Sequence, residues 1–287
     1  MDAQDTFFSQ GKILDCGGKK LDLSKPAVMG ILNVTPDSFF DGGLYSSPES
    51  ALLHAREMVR AGAAIIDVGA CSTRPGSAAP GPEEEWGRLL PVLELLRSEL
   101  PEAVISVDTY RPEVAAKAIA AGAGFVNDIS GGTMEGGMAE LVAANNVPYV
   151  LMHIKGTPAD MQNEPQYAGV VQEVADYFRR KIAELEKAGA RQIILDPGFG
   201  FGKNVAHNFE LLARLDEFVK TGYPVLAGMS RKSMLNKLLG ISKNDSLNAT
   251  TAVNTVALLK GASILRVHDV KEAVETIKIA EALKYST

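Results

Sequence analysis

From Pro26 onward one unit recurs along the chain: a short apolar run, a polar residue at its end, a loop carrying Gly or Pro, and a segment of helical period. Eight such runs can be counted, at residues 27–32, 64–69, 104–107, 124–126, 147–152, 192–195, 223–227 and 262–265. They are close to continuously apolar rather than alternating, as strands buried on both faces of a parallel sheet must be. Eight alternations of strand and helix predict a single (β/α)8 TIM-type barrel, with a doubly wound open sheet as the alternative. The strand ends favour the barrel. Asn33, Asp67, Asp108, Asn127, Asp196, Lys232, Arg266 and His268 can converge on one ligand only if the sheet closes, since in an open sheet they would spread along an edge.

Local signals mark the flanking elements. Ser47 followed by Pro48 reads as an N-cap and first helical residue, and Pro82 and Pro112 open two more helices. Residues 170–188 form a long amphipathic segment, helical stretches run to Leu239 and from Leu247 to Lys260, and a last helix spans 269–284. Glu83-Glu84-Glu85 reads as a solvated first turn favoured by the helix dipole. His54 and His207 fall in helices, away from the strand tips. Residues 11–24 show two short alternating runs around Gly17-Gly18, a hairpin signal. The expected organisation is an N-terminal segment and β-hairpin over residues 1–25 closing the barrel bottom, then one barrel over 26–287.

The 287 residues, 46% hydrophobic, fit one barrel without a composition break. A net charge of -6 leaves no basic field for nucleic acid or an anionic membrane, so an anionic ligand must be held by a few local cations. No stretch reads as a signal peptide or a membrane span. Two cysteines, Cys16 and Cys71, make neither a disulfide framework nor a zinc set, and free thiols lead us to expect a cytoplasmic protein. The four histidines show no paired metal spacing.

The sixth run ends in Asp196-Pro-Gly-Phe-Gly-Phe-Gly-Lys203, a carboxylate at a strand end followed by a loop with three glycines. It is not a Walker A loop, because Pro197 stands at the first glycine position and Asn204 follows the lysine. A carboxylate at this depth suits a planar heterocycle that offers paired N–H donors. Taken singly, Asp108 and Asp196 also read as turn caps, and Asn127 as a strand-end amide.

The ordered set is more specific than any member. Gly30-Ile-Leu-Asn-Val-Thr-Pro-Asp-Ser38 with Asp41-Gly-Gly43, Ser72-Thr-Arg-Pro-Gly76, Ser106-Val-Asp-Thr109, Asn127-Asp-Ile-Ser130, Met152-His153, the loop after Asp196, Ser230-Arg-Lys-Ser233 and Arg266-Val-His-Asp269 together resemble the dihydropteroate synthase family, from about Pro26 to the C-terminus. The resemblance implies condensation of 6-hydroxymethyl-7,8-dihydropterin pyrophosphate with p-aminobenzoate, giving 7,8-dihydropteroate and pyrophosphate with Mg2+ present, the folate-synthesis step that sulfonamides block. It implies pterin contacts at Asp108, Asn127, Asp196, Lys232 and Arg266, and pyrophosphate contacts at Asn33, Thr73, Arg74, Arg266 and His268. Asn33 is the implied metal ligand. Thr73, Pro75, Phe201 and Ser233 are left for p-aminobenzoate, and a homodimer is the family expectation.

No strand tip offers an activated Ser or Cys, and an arylamine carries its own attacking lone pair. The chemistry expected is therefore leaving-group stabilisation, with Arg74, Lys232, Arg266 and His268 as the catalytic cations. The loops 35–46 and 70–82 are rich in Gly, Ser, Pro and Ala, and are expected to close only once pyrophosphate is bound. The family commonly has Gly-Glu where this chain has Ala70-Cys71, so one charge is lost from the second loop. The alternative activity is that of a pterin-binding methyltransferase passing a methyl group from methyltetrahydrofolate to a corrinoid protein. It would share the Asp and Asn contacts but has no need of the pyrophosphate cations. An inactive pterin-binding paralogue is the rival from a different class.

Overall fold

The computed structural model describes residues 13–35, 47–71, 80–157, 161 and 165–284. The hairpin is present as β1 (Ile13–Cys16) paired antiparallel with β2 (Lys19–Asp22). Eight parallel strands follow: β3 (Ala27–Asn33), β4 (Ile65–Gly69), β5 (Val104–Asp108), β6 (Phe125–Asp128), β7 (Tyr149–Met152), β8 (Ile193–Asp196), β9 (Leu226–Ala227) and β10 (Ile264–Val267). Each pairs with its sequence neighbour from β3 to β8, and β10 pairs with both β3 and β9. A bridge between Leu195 and Val225 joins β8 to the residues just before β9, so the sheet closes into a barrel.

The strand before Lys232 is shorter than the sequence suggests, two residues rather than 223–227. Pro224 has no N–H to give a ladder and serves only as an acceptor, taking the Leu195 N–H at 2.9 Å.

Helices α1 (Pro48–Ala61), α2 (Pro82–Glu99), α3 (Pro112–Ala120), α4 (Met138–Asn145), α5 (Val170–Ala188), α6 (Val205–Ala213), α7 (Asp216–Val219), α8 (Ser233–Leu239), α9 (Leu247–Leu259) and α10 (Val270–Lys284) surround the barrel. Ser47 caps α1 through the Ser50 N–H, with Pro48 at the first helical position. Helix α5 buries Val170, Val171, Val174, Phe178 and Leu185 on one stripe. His54 and His207 lie on α1 and α6, the latter closing a capping box with Asn204. Among the described residues no helix is long and apolar enough to cross a membrane.

Strand residues alternate between two environments. Val28, Ile66, Ile105, Val126 and Leu265 pack outward in the large cluster with the helices. Met29, Ile65, Val104, Phe125, Ile194 and Ile264 point inward and share a second cluster with Leu14 and Leu21 of the hairpin. The hairpin lies across the N-terminal ends of the strands. There Asp15 exchanges hydrogen bonds with the Gln192 side chain at 2.6 and 3.1 Å, and Lys19 donates to the Ala103 carbonyl at 2.6 Å. Gly124, at the start of β6, is required by this cover, because a Cβ there would overlap the Cys16 carbonyl.

The first turn of α2 departs from expectation. Glu83 and Glu84 are exposed and pair with Lys117 and Arg88, but Glu85 has no exposed surface and is bonded to Arg111, the residue preceding α3. Its position faces the neighbouring β5–α3 connection rather than solvent, and a carboxylate there needs a cation to leave water. Replacing Glu85 with Ala leaves Arg111 buried without that partner. We expect a loss of about 3 kcal/mol or more in urea unfolding, whereas Glu84→Ala, on an exposed pair, should cost under about 1 kcal/mol.

Candidate active site

The inward parity that fills the barrel floor with apolar side chains delivers polar ones two and four residues later. From Ile65 it leads to Asp67 and Gly69, from Val104 to Ser106 and Asp108, and from Phe125 to Asn127. From Ile194 it reaches Asp196, from Ile264 it reaches Arg266 and then His268, and from Met29 it reaches Asn33. Register places Asn33, Gly69, Asp108 and Asn127 side by side in one row, with Asp67 and Ser106 one step beneath. The C-terminal mouth of the barrel is thus polar by construction, the usual place for a site in this fold.

The charges are tightly interlocked. Arg266 donates from Nε to Asp67 Oδ2 at 2.7 Å and from Nη2 to Asp108 Oδ2 at 2.5 Å. Asn127 Nδ2 donates to the same Asp67 oxygen at 2.8 Å. Burial works against the Arg266 charge, but the two carboxylates outweigh it and hold its pKa above the ordinary value. Burial raises the Asp108 carboxyl against the pull of Arg266, and nearby Asp67 adds to the rise.

Asp196 takes the Gly198 N–H at 2.7 Å. Burial pushes this carboxyl up too, opposed chiefly by Lys232. Lys232, in the loop after β9, donates to the Phe199 carbonyl and sits 4.6 Å from the centre of the Phe201 ring. Burial lowers its ammonium to about 8, with Asp196 resisting the fall. Ser233 is exposed at the first turn of α8, next to this pair. His268 Nδ1 lies 3.0 Å from Ser230 Oγ, which also accepts the His268 N–H at 3.2 Å. Arg231 grips Asp269 through Nε and Nη2 at 2.9 and 2.5 Å, tying the loop after β9 to the end of β10.

Asn33, Asp108, Asn127, Asp196, Phe201, Lys232, Arg266 and His268 therefore stand at strand ends or in the loops directly after them, on one end of the barrel, and Ser233 opens α8 beside Lys232. Thr73, Arg74 and Pro75 lie outside the described residues, as do most of the two loops expected to close. Two groups carry more than the sequence suggested. Asp67, set by the sequence among the groups converging on a ligand, instead has no exposed surface and joins Asn127 to Arg266 one step beneath the row. Lys203, which ends the three-glycine loop, is buried and donates to the carbonyls of Gly198, Phe201 and His153 at 2.9, 2.9 and 3.2 Å, 3.0 Å from His153 Nδ1. Burial and this neighbouring lysine push His153 down to about 2, so its ring is neutral. Gly198 makes the approach possible, with φ 70° and a Cβ position that would overlap the His153 carbonyl.

A mouth with acceptors on one side and cations on the other suits a flat heterocycle with an anionic tail. Residues 29–268 match the family described as pterin binding enzyme. The dihydropteroate synthase of Escherichia coli K12 is 49% identical over 267 residues, covering 92% of this chain and 94% of that protein. The chain belongs to the dihydropteroate synthase family. The crystal structure of the Yersinia pestis dihydropteroate synthase in complex with a sulfonamide drug superimposes with a TM-score of 0.91 at 43% identity, covering 96% of this chain and all of that one. The Xanthomonas albilineans dihydropteroate synthase with 4-aminobenzoic acid gives 0.89 at 42% identity, covering 96% and 98%.

Lys203 satisfies backbone carbonyls of two adjacent loops, so Lys203→Met should strand them. A loss of about 2 kcal/mol or more in chemical unfolding is expected, with faster amide exchange across residues 198–203. Unchanged exchange there would show that the loop holds its shape without the lysine.

Proposed function

We propose that this protein condenses 6-hydroxymethyl-7,8-dihydropterin pyrophosphate with p-aminobenzoate, forming 7,8-dihydropteroate and releasing pyrophosphate. The observation that carries it is the row of Asp108 and Asn127 with Asp196 across the barrel, faced by Lys232 and Arg266. The pterin ring lies against Asp108, Asn127, Asp196 and Lys232, whose acceptors and one ammonium match its edge of donors and acceptors. Its pyrophosphate is met by Arg266, His268 and Asn33, with Thr73 and Arg74 completing the set. p-Aminobenzoate lies beside Phe201 and Ser233, with Thr73 and Pro75 as the facing wall. The amine nitrogen forms a bond to the exocyclic carbon, the carbon–oxygen bond breaks, pyrophosphate leaves with the electron pair, and the amine proton passes to solvent. Arg266, Lys232, His268 and Arg74 act by stabilising the charge that develops on the leaving group. Sulfonamides, as p-aminobenzoate mimics, fit the same pocket.

One amide oxygen at Asn33 fits a hard ion that takes most of its shell from substrate oxygens and water, and Asn33 would hold Mg2+ in that way. When bound, the ion would neutralise part of the pyrophosphate charge. Among the described residues no group of three His, Cys, Asp or Glu side chains forms a dedicated metal cage. We extend the proposal to a cytoplasmic homodimer in which residues 1–25 cover the barrel and residues 26–287 form one catalytic unit.

Dihydropteroate formation from the two purified substrates with Mg2+ tests the activity directly. Methyl transfer to a corrinoid without dihydropteroate formation would replace this assignment with the methyltransferase. For Asp196, Asp196→Asn should weaken pterin binding by about 1.5–3 kcal/mol in calorimetry, the range for hydrogen bonds to a charged group. Lys232 gives a pH prediction. Its charged form predominates below about pH 8, so kcat/KM for the pterin substrate should fall as pH rises through 8. In Lys232→Arg that alkaline limb should disappear below pH 10, because guanidinium keeps its proton.

A further inference from the structure

We infer that Asp67 is a positioning residue that sets the orientation of Asn127 and keeps Arg266 in place when the pterin engages Asp108. This rests on the activity proposed above. Asp67 has no exposed surface and lies one step beneath the row formed by Asn33, Gly69, Asp108 and Asn127. A ligand in the mouth meets that row first, so Asp67 acts through its neighbours.

The first consequence concerns Asn127. A carboxylate can only accept, so the side of the amide that faces Asp67 must be the NH2. That fixes which way the amide is turned and leaves Oδ1 as the atom free to accept from a heterocycle N–H. Without Asp67, either face of the amide could be presented and the acceptor would no longer be set in advance.

The second concerns Arg266, whose Nε is bonded to Asp67 and whose Nη2 is bonded to Asp108. Asp108 lies in the exposed row and is a proposed pterin contact, so its oxygens are shared with the incoming ring. Asp67 is out of reach of the ring and retains the Nε bond. The guanidinium is then anchored at its base, with Nη1 left for the pyrophosphate. Two contacts that belong to different parts of the substrate are thereby referenced to a single buried oxygen, Asp67 Oδ2.

The wild-type protein tests this without any substitution. The Arg266 Nε–H, assigned in arginine-labelled protein by NMR through its loss in Arg266→Lys, should exchange slowly and persist when a pterin lacking pyrophosphate is added. Its disappearance on pterin binding would overturn the anchoring role. Asp67→Asn supplies the second arm. We expect pterin affinity and kcat each to fall at least about tenfold, with KM for p-aminobenzoate within about twofold. In double-mutant cycles, Asp67→Asn should change pterin affinity less than about twofold in an Asn127→Ala background, and kcat less than about twofold in an Arg266→Ala background. Full multiplication of the losses in both cycles would mean that Asp67 acts through general stability, and the inference fails. If Asp67→Asn does not fold, the wild-type exchange measurement decides. If wild-type protein binds pterin but forms no dihydropteroate, the proposed activity is wrong, while the exchange result still decides whether Asp67 anchors Arg266.

Discussion

A carboxylate with no exposed surface must be matched by donors, and Asp67 sets the terms for the rest of the barrel mouth. Its cation, Arg266, is 199 residues away, so the pair can form only when the last strand, β10, docks beside β3 and so comes one strand from β4. The second bond from Arg266 to Asp108 brings in β5, and Asn127 brings in β6. Removing one member of such a set leaves an uncompensated buried charge, at a cost of about 3–5 kcal/mol, while an apolar replacement of the whole set could be neutral or better. Stability therefore does not explain why these charges are present. What the set provides is preset acceptors and a fixed cation, the arrangement that a flat, polar ligand requires.

The two ends of the barrel divide the work. At the N-terminal end, the inward side chains are apolar and the hairpin covers them, with Gly124 allowing its backbone to come close. At the C-terminal end, backbone is held by buried ionic groups instead. Lys203 gathers carbonyls from the loops after β7 and β8, and Arg111 with Glu85 joins α2 to the connection after β5. The loops that carry the site are fastened from beneath, and Gly198 and Gly202 let the loop after β8 pack closely on the His153 and Lys155 carbonyls.

The barrel was legible because its evidence is local. Continuous apolar runs gave the strands, a polar residue marked each tip, Ser47 with Pro48 marked a helix start, and residues 170–188 carried their own amphipathic period. The parts that were not legible depend on partners remote in sequence. Glu85 reads as one of three solvated acids until Arg111, 26 residues on, is brought against it. Lys203 reads as the end of a loop until His153, 50 residues earlier, is seen beside it. Asp67 reads as one more group facing a ligand until Arg266, from the last strand, is seen bonded to it beneath the row. The brevity of β9 follows from Pro224, whose missing N–H could have been weighed against the apolar run around it.

The order of strands around the ring gives the mouth a direction. Going from β5 through β8, the inward tips offer Asp108, Asn127 and Asp196, all able to accept hydrogen bonds. Continuing through β9, β10 and β3, they offer Lys232, Arg266, His268 and Asn33, three side chains that can carry positive charge and an amide. The two arcs are contiguous, so a ligand with a donor-rich ring and an anionic tail can lie across the mouth with each part on its own side. A pterin without pyrophosphate would use the first arc and leave most of the second without a partner. On a chain with a net charge of -6, that concentration of cations is local and has to be built strand by strand. The arc from β9 to β3 is therefore the feature that favours the condensation, with its departing pyrophosphate, over methyl transfer from a folate, since the acceptor arc alone would serve both.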